Sequence, residues 1–392
     1  MSVASVRTAT LPRRALLLAL AAMFAATVVG LFVLWPDGPR QTADYAADGV
    51  TFPHAEVVSV GPACPVTNDG SGPRPEDCGQ ITVRLADGEQ LTLGVPPGVA
   101  DSGVRKGDPV ELLKIPGEAG GDPIYAWSGT LRGHSLAVLA LVFVVVVGLV
   151  ARLRGLLAVL GLGFAGAVLW WFMLPALLAG SSAPIVALVA SSAIMIVVLY
   201  LAHGLTMRTS AALGGTMLGV LITAGIGWWA VGASRLGGLA DETGEILRTQ
   251  APQLDFRGLL IAAVIIAGLG VLNDVTITQS SAVWELRAAS PTATRRELYT
   301  SAMRIGRDHI ASTIYTIVFA YAGTALVVLI LVSLYDRTLL ERLVDEGFGE
   351  EIVRTLASAI GLVLAVPATT AIAVAVVHGP GQGRTEGRRV RR

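Results

Sequence analysis

The chain has 392 residues, of which 53% are hydrophobic and 15% charged, and its formal net charge is zero. Soluble domains run at about 45–50% apolar and about 25% charged residues, so this composition excludes an ordinary soluble protein and points to a polytopic membrane protein. The zero net charge carries no information on partners, because the charges are sorted by position along the chain.

Apolar runs long enough to cross a bilayer, about 17–25 residues, predict eight spans: Ala15–Trp35, Ser135–Ala151, Gly155–Leu178, Ile185–Leu201, Ala211–Val231, Gly258–Ser280, Ile310–Leu334 and Val353–Val377. The fold class expected is therefore mostly α, a membrane helix bundle with both termini inside. Residues 1–14 form the cytoplasmic N-terminus and residues 15–35 the first span. Arg13 and Arg14 before that run also fit a signal peptide. The run is longer than the apolar core of such a peptide, and no clear small-x-small cleavage site follows, which favours an uncleaved anchor. Cleavage would leave seven spans in the same topology.

Residues 36–134 are polar, rich in Gly and Pro, and stand outside the cytoplasm as a β-rich domain. Ala55–Val60 reads as a strand. Ile81–Val95 alternates around Asp87-Gly88, a strong hairpin signal. Val104–Lys114 reads as a turn feeding another strand. A small barrel or sandwich, of the OB kind among others, fits this pattern. Cys64 and Cys78, the only two cysteines, bracket a Pro/Gly/Asp-rich loop. Outside the cytoplasm this arrangement suits a disulfide. A zinc site is the alternative, with His54 as one further ligand, but the stretch is poor in donors. The domain serves either as a rigid cap or as a vestibule that captures substrate.

Residues 135–377 hold the remaining seven spans. Arginine placement sets their orientation. The inner segments hold Arg7, Arg13, Arg14, Arg152, Arg154, Arg208, Arg287, Arg295, Arg296, Arg304, Arg307, Arg384, Arg388, Arg389, Arg391 and Arg392. The short charged outer loops hold only Arg235, Arg248, Arg257, Arg337, Arg342 and Arg354. Trp35, Trp127, Trp170, Trp171, Trp228 and Trp229 fall near outer span ends, as interfacial anchors do. The basic tail, residues 378–392, serves as a topology anchor or touches anionic lipid. The expected location is the inner (plasma) membrane of the cell, crossed many times.

The sixth span is unusual. It continues as helix to about Leu286, and Asp274, Thr278, Ser281 and Glu285 share one helical face at i, i+4, i+7 and i+11. Asn273, Thr276, Gln279 and Ser280 flank it. From Gly258 to Leu286 the helix is about 42 Å long, which puts Asp274 near mid-bilayer and Glu285 near the inner interface. A carboxylate at that depth costs roughly 2.5–3.5 kcal/mol on insertion scales. It must face protein or water, as a neutral acid, a cation site or a buried hydrogen-bond partner. The hydroxyls alone read equally as interhelical glue. Span seven opens with a related pattern: Asp308 and His309 at the inner edge, followed by Ser312, Thr313 and Thr316. His309 is either a proton carrier near neutral pH or an interfacial side chain.

Three stretches carry a resemblance. GLGVLNDVTITQSSAVWEL, IGRDHIASTIYTIVFAYAG and EIVRTLASAIGLVLAVPATTAIA resemble blocks of the YibE/F-like family of bacterial membrane proteins. The resemblance covers about Ser135 to Val377. It implies the seven-span bundle and, since no activity of the family is assigned, adds no function. The family usually carries a second acidic residue where this chain has Asn273, and Gly and Asn where it has Ala311 and Tyr315. Within the bundle RGLLAVLGLGFAG (Arg154–Gly166) resembles RGLLIAAVIIAG (Arg257–Gly268), which would relate spans three to five and six to eight as inverted halves.

No Walker motif, dinucleotide turn, HExxH, nucleophile elbow or metal-binding cysteine set is present. No cofactor and no metal are expected. The leading expectation is a secondary transporter or channel for a small ion or solute, not an enzyme, with a site of Asn273, Asp274, Thr278, Ser281, Glu285, Asp308 and His309. The alternatives are a scaffold or sensor subunit that binds partners through the outer domain, and a membrane enzyme using Glu285, Asp308 and His309. Expected partners are the lipid bilayer, a small ion or solute, and a second copy or another membrane subunit, with no nucleic acid.

Overall fold

The computed structural model describes residues 3–36, 47–64, 78–117, 121–239, 242–334, 338, 341 and 344–378. It divides into two compact units, residues 42–149 and the rest. The helices are α1 (Val3–Val33), α2 (Pro97–Ala100), α3 (Gly133–Val168), α4 (Leu174–Leu178), α5 (Ala183–His203), α6 (Met207–Ala233), α7 (Glu242–Gln250), α8 (Phe256–Ala289), α9 (Arg295–Thr324), α10 (Leu326–Leu334) and α11 (Glu346–Val376). A π-helical turn, Leu169–Met173, joins α3 to α4. The strands are β1 (His54–Val60), β2 (Gln80–Leu85), β3 (Gln90–Gly94), β4 (Pro109–Ile115) and β5 (Ile124–Thr130).

The smaller unit carries one five-stranded antiparallel sheet in the order β3-β2-β1-β4-β5. The alternating apolar residues of the strands fill its core: Val57, Ile81, Val83, Val110 and Leu112 are almost fully buried. The sheet curls until β3 approaches β5, so the arrangement is an open barrel rather than two stacked sheets. Gly88 takes φ 91° in the β2–β3 turn, a conformation that suits Gly. Strand β5 was not foreseen; IYAWSGT pairs with β4 but alternates weakly. Cys64 and Cys78 form a disulfide; the loop between them lies outside the described residues.

Among the described residues six helices are long and apolar enough to cross a membrane: Leu11–Val33, Gly133–Leu178, Ala183–His203, Met207–Ala233, Phe256–Ala289 and Glu346–Val376. The expectation of eight spans differs at two places. The expected second and third spans form one 46-residue stretch. Its helical geometry fails at Arg152, where φ is 56° and ψ −144°, a conformation uncommon for a residue with a side chain. The expected seventh span is divided at Ala325, and its helix starts at Arg295 rather than near Ile310. The basic tail from residue 379 and part of the acidic loop after α10 lie outside the described residues.

In the larger unit α6, α8 and α11 pack against one another, with α5 against α8 and α9 against both α8 and α11. Small residues make this close approach possible. On α6, Gly215, Gly219, Thr223 and Gly227 recur every fourth residue and face α8 or α11. A Cβ at Gly219 would stand 2.7 Å from Leu272 and 3.0 Å from Ala365. A Cβ at Gly215 would overlap Thr369, and one at Gly361 would overlap Thr223. The basic groups of one end are tied to the end of α11. Arg13 donates to the Val376 carbonyl at 2.7 Å and Arg295 to that of Ala375 at 3.5 Å, where cations complement the helix dipole.

Candidate functional site

Helices α8 and α9 form an antiparallel hairpin, and its turn is built to close. Arg287, 8% exposed, donates through one terminal nitrogen to the carbonyls of Ala293 at 2.7 Å and Pro291 at 3.3 Å. Thr294 then caps α9. Its hydroxyl accepts the Glu297 N–H at 3.2 Å, and its own N–H donates to the Glu297 carboxylate at 2.7 Å. This reciprocal box satisfies two orphan donors of the first turn.

Closure there decides which residues meet further along. Asp274 on α8 comes opposite His309 on α9, with Oδ2 and Nε2 3.6 Å apart. The Asp274 side chain is 65% exposed and that of His309 29%. The separation suits an ion pair but exceeds hydrogen-bond length. His309 Nε2 is itself buried and has no hydrogen-bond partner among the described residues; the same holds for Asn273 Oδ1.

His309 stands level with Asp274 and not with Glu285, because α9 begins at the hairpin turn and has run about four helical turns by residue 309. Glu285 lies eleven residues along α8 from Asp274, about 16 Å at 1.5 Å per residue, and is exposed. Asp308, next to His309, is exposed, as is Thr278; Ser281 is half-buried. Of the seven candidate residues, the fold therefore brings Asp274 and His309 together, with Asn273 beside them and Thr278 one turn away.

The polar residues of α8 separate into two faces. The stripe of Asp274, Thr278, Ser281 and Glu285 turns away from the packed core. The flanking residues are the ones buried in it. Gln279, 2% exposed, donates to the Thr370 hydroxyl at 2.8 Å and to the Ala302 carbonyl at 2.9 Å. Thr276 and Thr216 share a hydrogen bond of 2.5 Å, and Ser280 donates to the Arg208 carbonyl at 2.8 Å. These residues bind α6, α9 and α11 to α8. Sequence reasoning noted them only as flanking groups. The signal that could have singled them out is their register with Gly268 and Leu272, the face that meets the small residues of α6. A cleft of about 650 Å³ beside Trp228, Trp229 and Arg257 lies at the N-terminus of α8 and does not include Asp274.

Apolar helices of spanning length, a bundle closed by small residues, and a carboxylate set within one of those helices define a polytopic membrane protein. The chain belongs to the YibE/F-like family, whose model matches residues 139–379, more than half of its length. The match covers α8, α9 and α11, and so the Asp274–His309 pair. No curated protein and no solved structure matches the chain.

Proposed function

We propose that the protein is a secondary transporter or channel for a small ion or solute, working in the plasma membrane with the Asp274–His309 pair as its site. In this reading the chain crosses eight times, the break at Arg152 and the paired segments α9 and α10 supplying the crossings beyond the six apolar helices, and both termini face the cytoplasm. No bond-making chemistry is assigned to it.

One observation carries the reading. Asp274 is the only charged residue between Gly258 and Trp284, and it meets a titratable side chain from the neighbouring helix at 3.6 Å. Ionisable groups within membrane helices are expensive and mark ion or solute paths far more often than bulk structure. The buried hydroxyl and amide contacts account for helix packing without Asp274, so packing does not explain why a carboxylate stands there.

The test is reconstitution of the full chain and of Asp274→Asn in liposomes under an imposed gradient, followed with proton- and cation-sensitive dyes. Flux in the native protein that vanishes in an equally folded variant supports the site. Equal flux in both would sink it.

A second reading, a scaffold or sensor subunit, is favoured by the smaller unit. It has its own core and disulfide, and a cleft of about 500 Å³ beside His54, Lys114 and Tyr125. Partners that co-purify with the native chain and are lost on altering that cleft, with Asp274→Asn tolerated, would favour it.

A further inference from the structure

We propose that the ion handled at this site is the proton, held by Asp274 and His309 as a pair and reached by two polar half-files on opposite helices that overlap only there. The inference rests on the transport reading above and names its cargo.

The half-files follow from helical register. Below Asp274, toward the C-terminus of α8, the same face carries Thr278, Ser281 and Glu285. Above it, at i−4, i−7 and i−11, that face carries Gly270, Ala267 and Ala263, with no polar side chain. On α9 the order is reversed. Beyond His309, toward the C-terminus, the face carries Ser312 and Thr316, both exposed. Before it, at i−3, i−4, i−7 and i−11, stand Gly306, Ile305, Ala302 and Leu298, with Ser301 at i−8 on the edge of that face. Because α8 and α9 run antiparallel, the two polar stretches lie on opposite sides of the pair. A path along hydroxyls from either end of the hairpin arrives at Asp274 or His309, and continues only by changing helix at the 3.6 Å gap.

The donor set suits a proton better than an all-protein cage for a metal ion. Nowhere among the described residues do three or more His, Cys, Asp or Glu side chains come together, so a hard cation, which takes six or more oxygens, would have to keep most of its waters. Backbone carbonyls cannot make up the number, because α8 is continuous helix through Asp274 and its carbonyls are engaged; transporters that bind alkali ions unwind a helix at this point. A proton needs only two acceptor atoms within reach, and Asp274 Oδ2 and His309 Nε2 stand 3.6 Å apart. Transfer breaks the Nε2–H bond of the imidazolium and forms an O–H bond on Asp274, leaving neutral imidazole and neutral acid. One water or a small side-chain rotation spans the gap.

The charged and titratable groups around the pair are few. On α9 itself they are Arg304, Arg307, Asp308 and Tyr315. Helix α8 adds Glu285 and Arg287 toward the turn. Helix α11 has none between Arg354 and His378, α10 has none, α6 has only Arg208 in its first turn, and α5 only Tyr200 and His203 in its last. Apart from Asp308 and Arg307, the exposed chain neighbours of His309, no other ionisable group of the described helices stands at the level of the pair.

The test uses the full chain in liposomes loaded with a pH dye, with potassium and valinomycin setting the potential. In parallel, dyes for sodium, potassium, magnesium and zinc report metal flux. Proton flux is expected in the native protein, with a fall of tenfold or more in His309→Gln and in Asp274→Asn. Thr278→Val and Thr316→Val, which leave the pair intact, are expected to slow flux several-fold and keep the inference testable if the pair variants misfold. Metal flux without proton movement would overturn the inference and leave the transport reading standing. Proton flux undiminished in folded His309→Gln would overturn it as well. No flux of any tested ion in the native protein would overturn the inference and, with it, the reading of the site as an ion path.

Discussion

Gln279 on α8 donates to the hydroxyl of Thr370 on α11 across 2.8 Å, and its second amide hydrogen reaches the Ala302 carbonyl of α9 at 2.9 Å. One buried amide thus joins three helices whose residues are far apart in the chain. Gly306 permits it: a Cβ there would stand 2.7 Å from Val366 and 2.9 Å from the Gln279 oxygen. Gln279→Leu is expected to destabilise the bundle by about 1 kcal/mol, taking about 0.6 kcal/mol for each side-chain hydrogen bond in a membrane protein. Gly306→Val is expected to be worse, because overpacking adds about 1–3 kcal/mol. Thermal unfolding in detergent, read by loss of monodisperse protein, checks the order. Equal stability of Gly306→Val and the native chain would contradict the close approach.

Gly219 sits where α6 meets Leu272 of α8 and Ala365 of α11. Neither neighbour has a flexible end long enough to withdraw. Gly219→Leu is expected to cost about 1–3 kcal/mol or more, whereas Gly225→Leu, with open space around it, is expected to be close to neutral. Matched melting curves of the two variants isolate packing from helix propensity, since both make the same chemical change.

The capping box of α9 makes a statement about pH. Hydrogen bonds from the Thr294 backbone and hydroxyl hold the Glu297 carboxyl below the usual carboxylate range. A depressed folded-state value means stabilisation that is present above the unfolded value and lost as pH falls through the folded one. Helix α9 is therefore expected to fray at its first turn in acid. Protection factors for hydrogen exchange at residues of the α8–α9 turn, referred to the intrinsic rate at each pH, should fall on acidification in the native chain. In Glu297→Gln the fall should be smaller, because that side chain does not titrate.

The disulfide of the smaller unit closes a short loop. Cys64→Ser, or reduction, is expected to destabilise that unit by about 3 kcal/mol on the loop-entropy account and to leave the larger unit unchanged. Limited proteolysis of the full chain with and without reductant checks this. Faster cleavage confined to the smaller unit, β5 included, is the expected pattern, and no change would show that the open barrel stands without the bond.

What this sequence determined by itself is whatever local chemistry decides. Apolar length marks the membrane helices, because backbone groups in a hydrocarbon phase must bond within their own segment. Asp87-Gly88 marks the β2–β3 turn, because Gly tolerates a positive φ. The signature around Asp274 and the one around His309 place the chain in its family. Tertiary structure decided the rest. The polar residues of α8 all fit one amphipathic stripe or its flanks, and only contact with α6, α9 and α11 shows that Thr276, Gln279 and Ser280 turn inward while Asp274, Thr278 and Glu285 turn outward. The level of His309 followed from where Arg287 and Thr294 close the hairpin, not from where hydropathy rises at Ile310. Hydropathy records how deeply a segment can sit. Which residue it meets there is set by turn closure and by the few glycines that let one helix reach another.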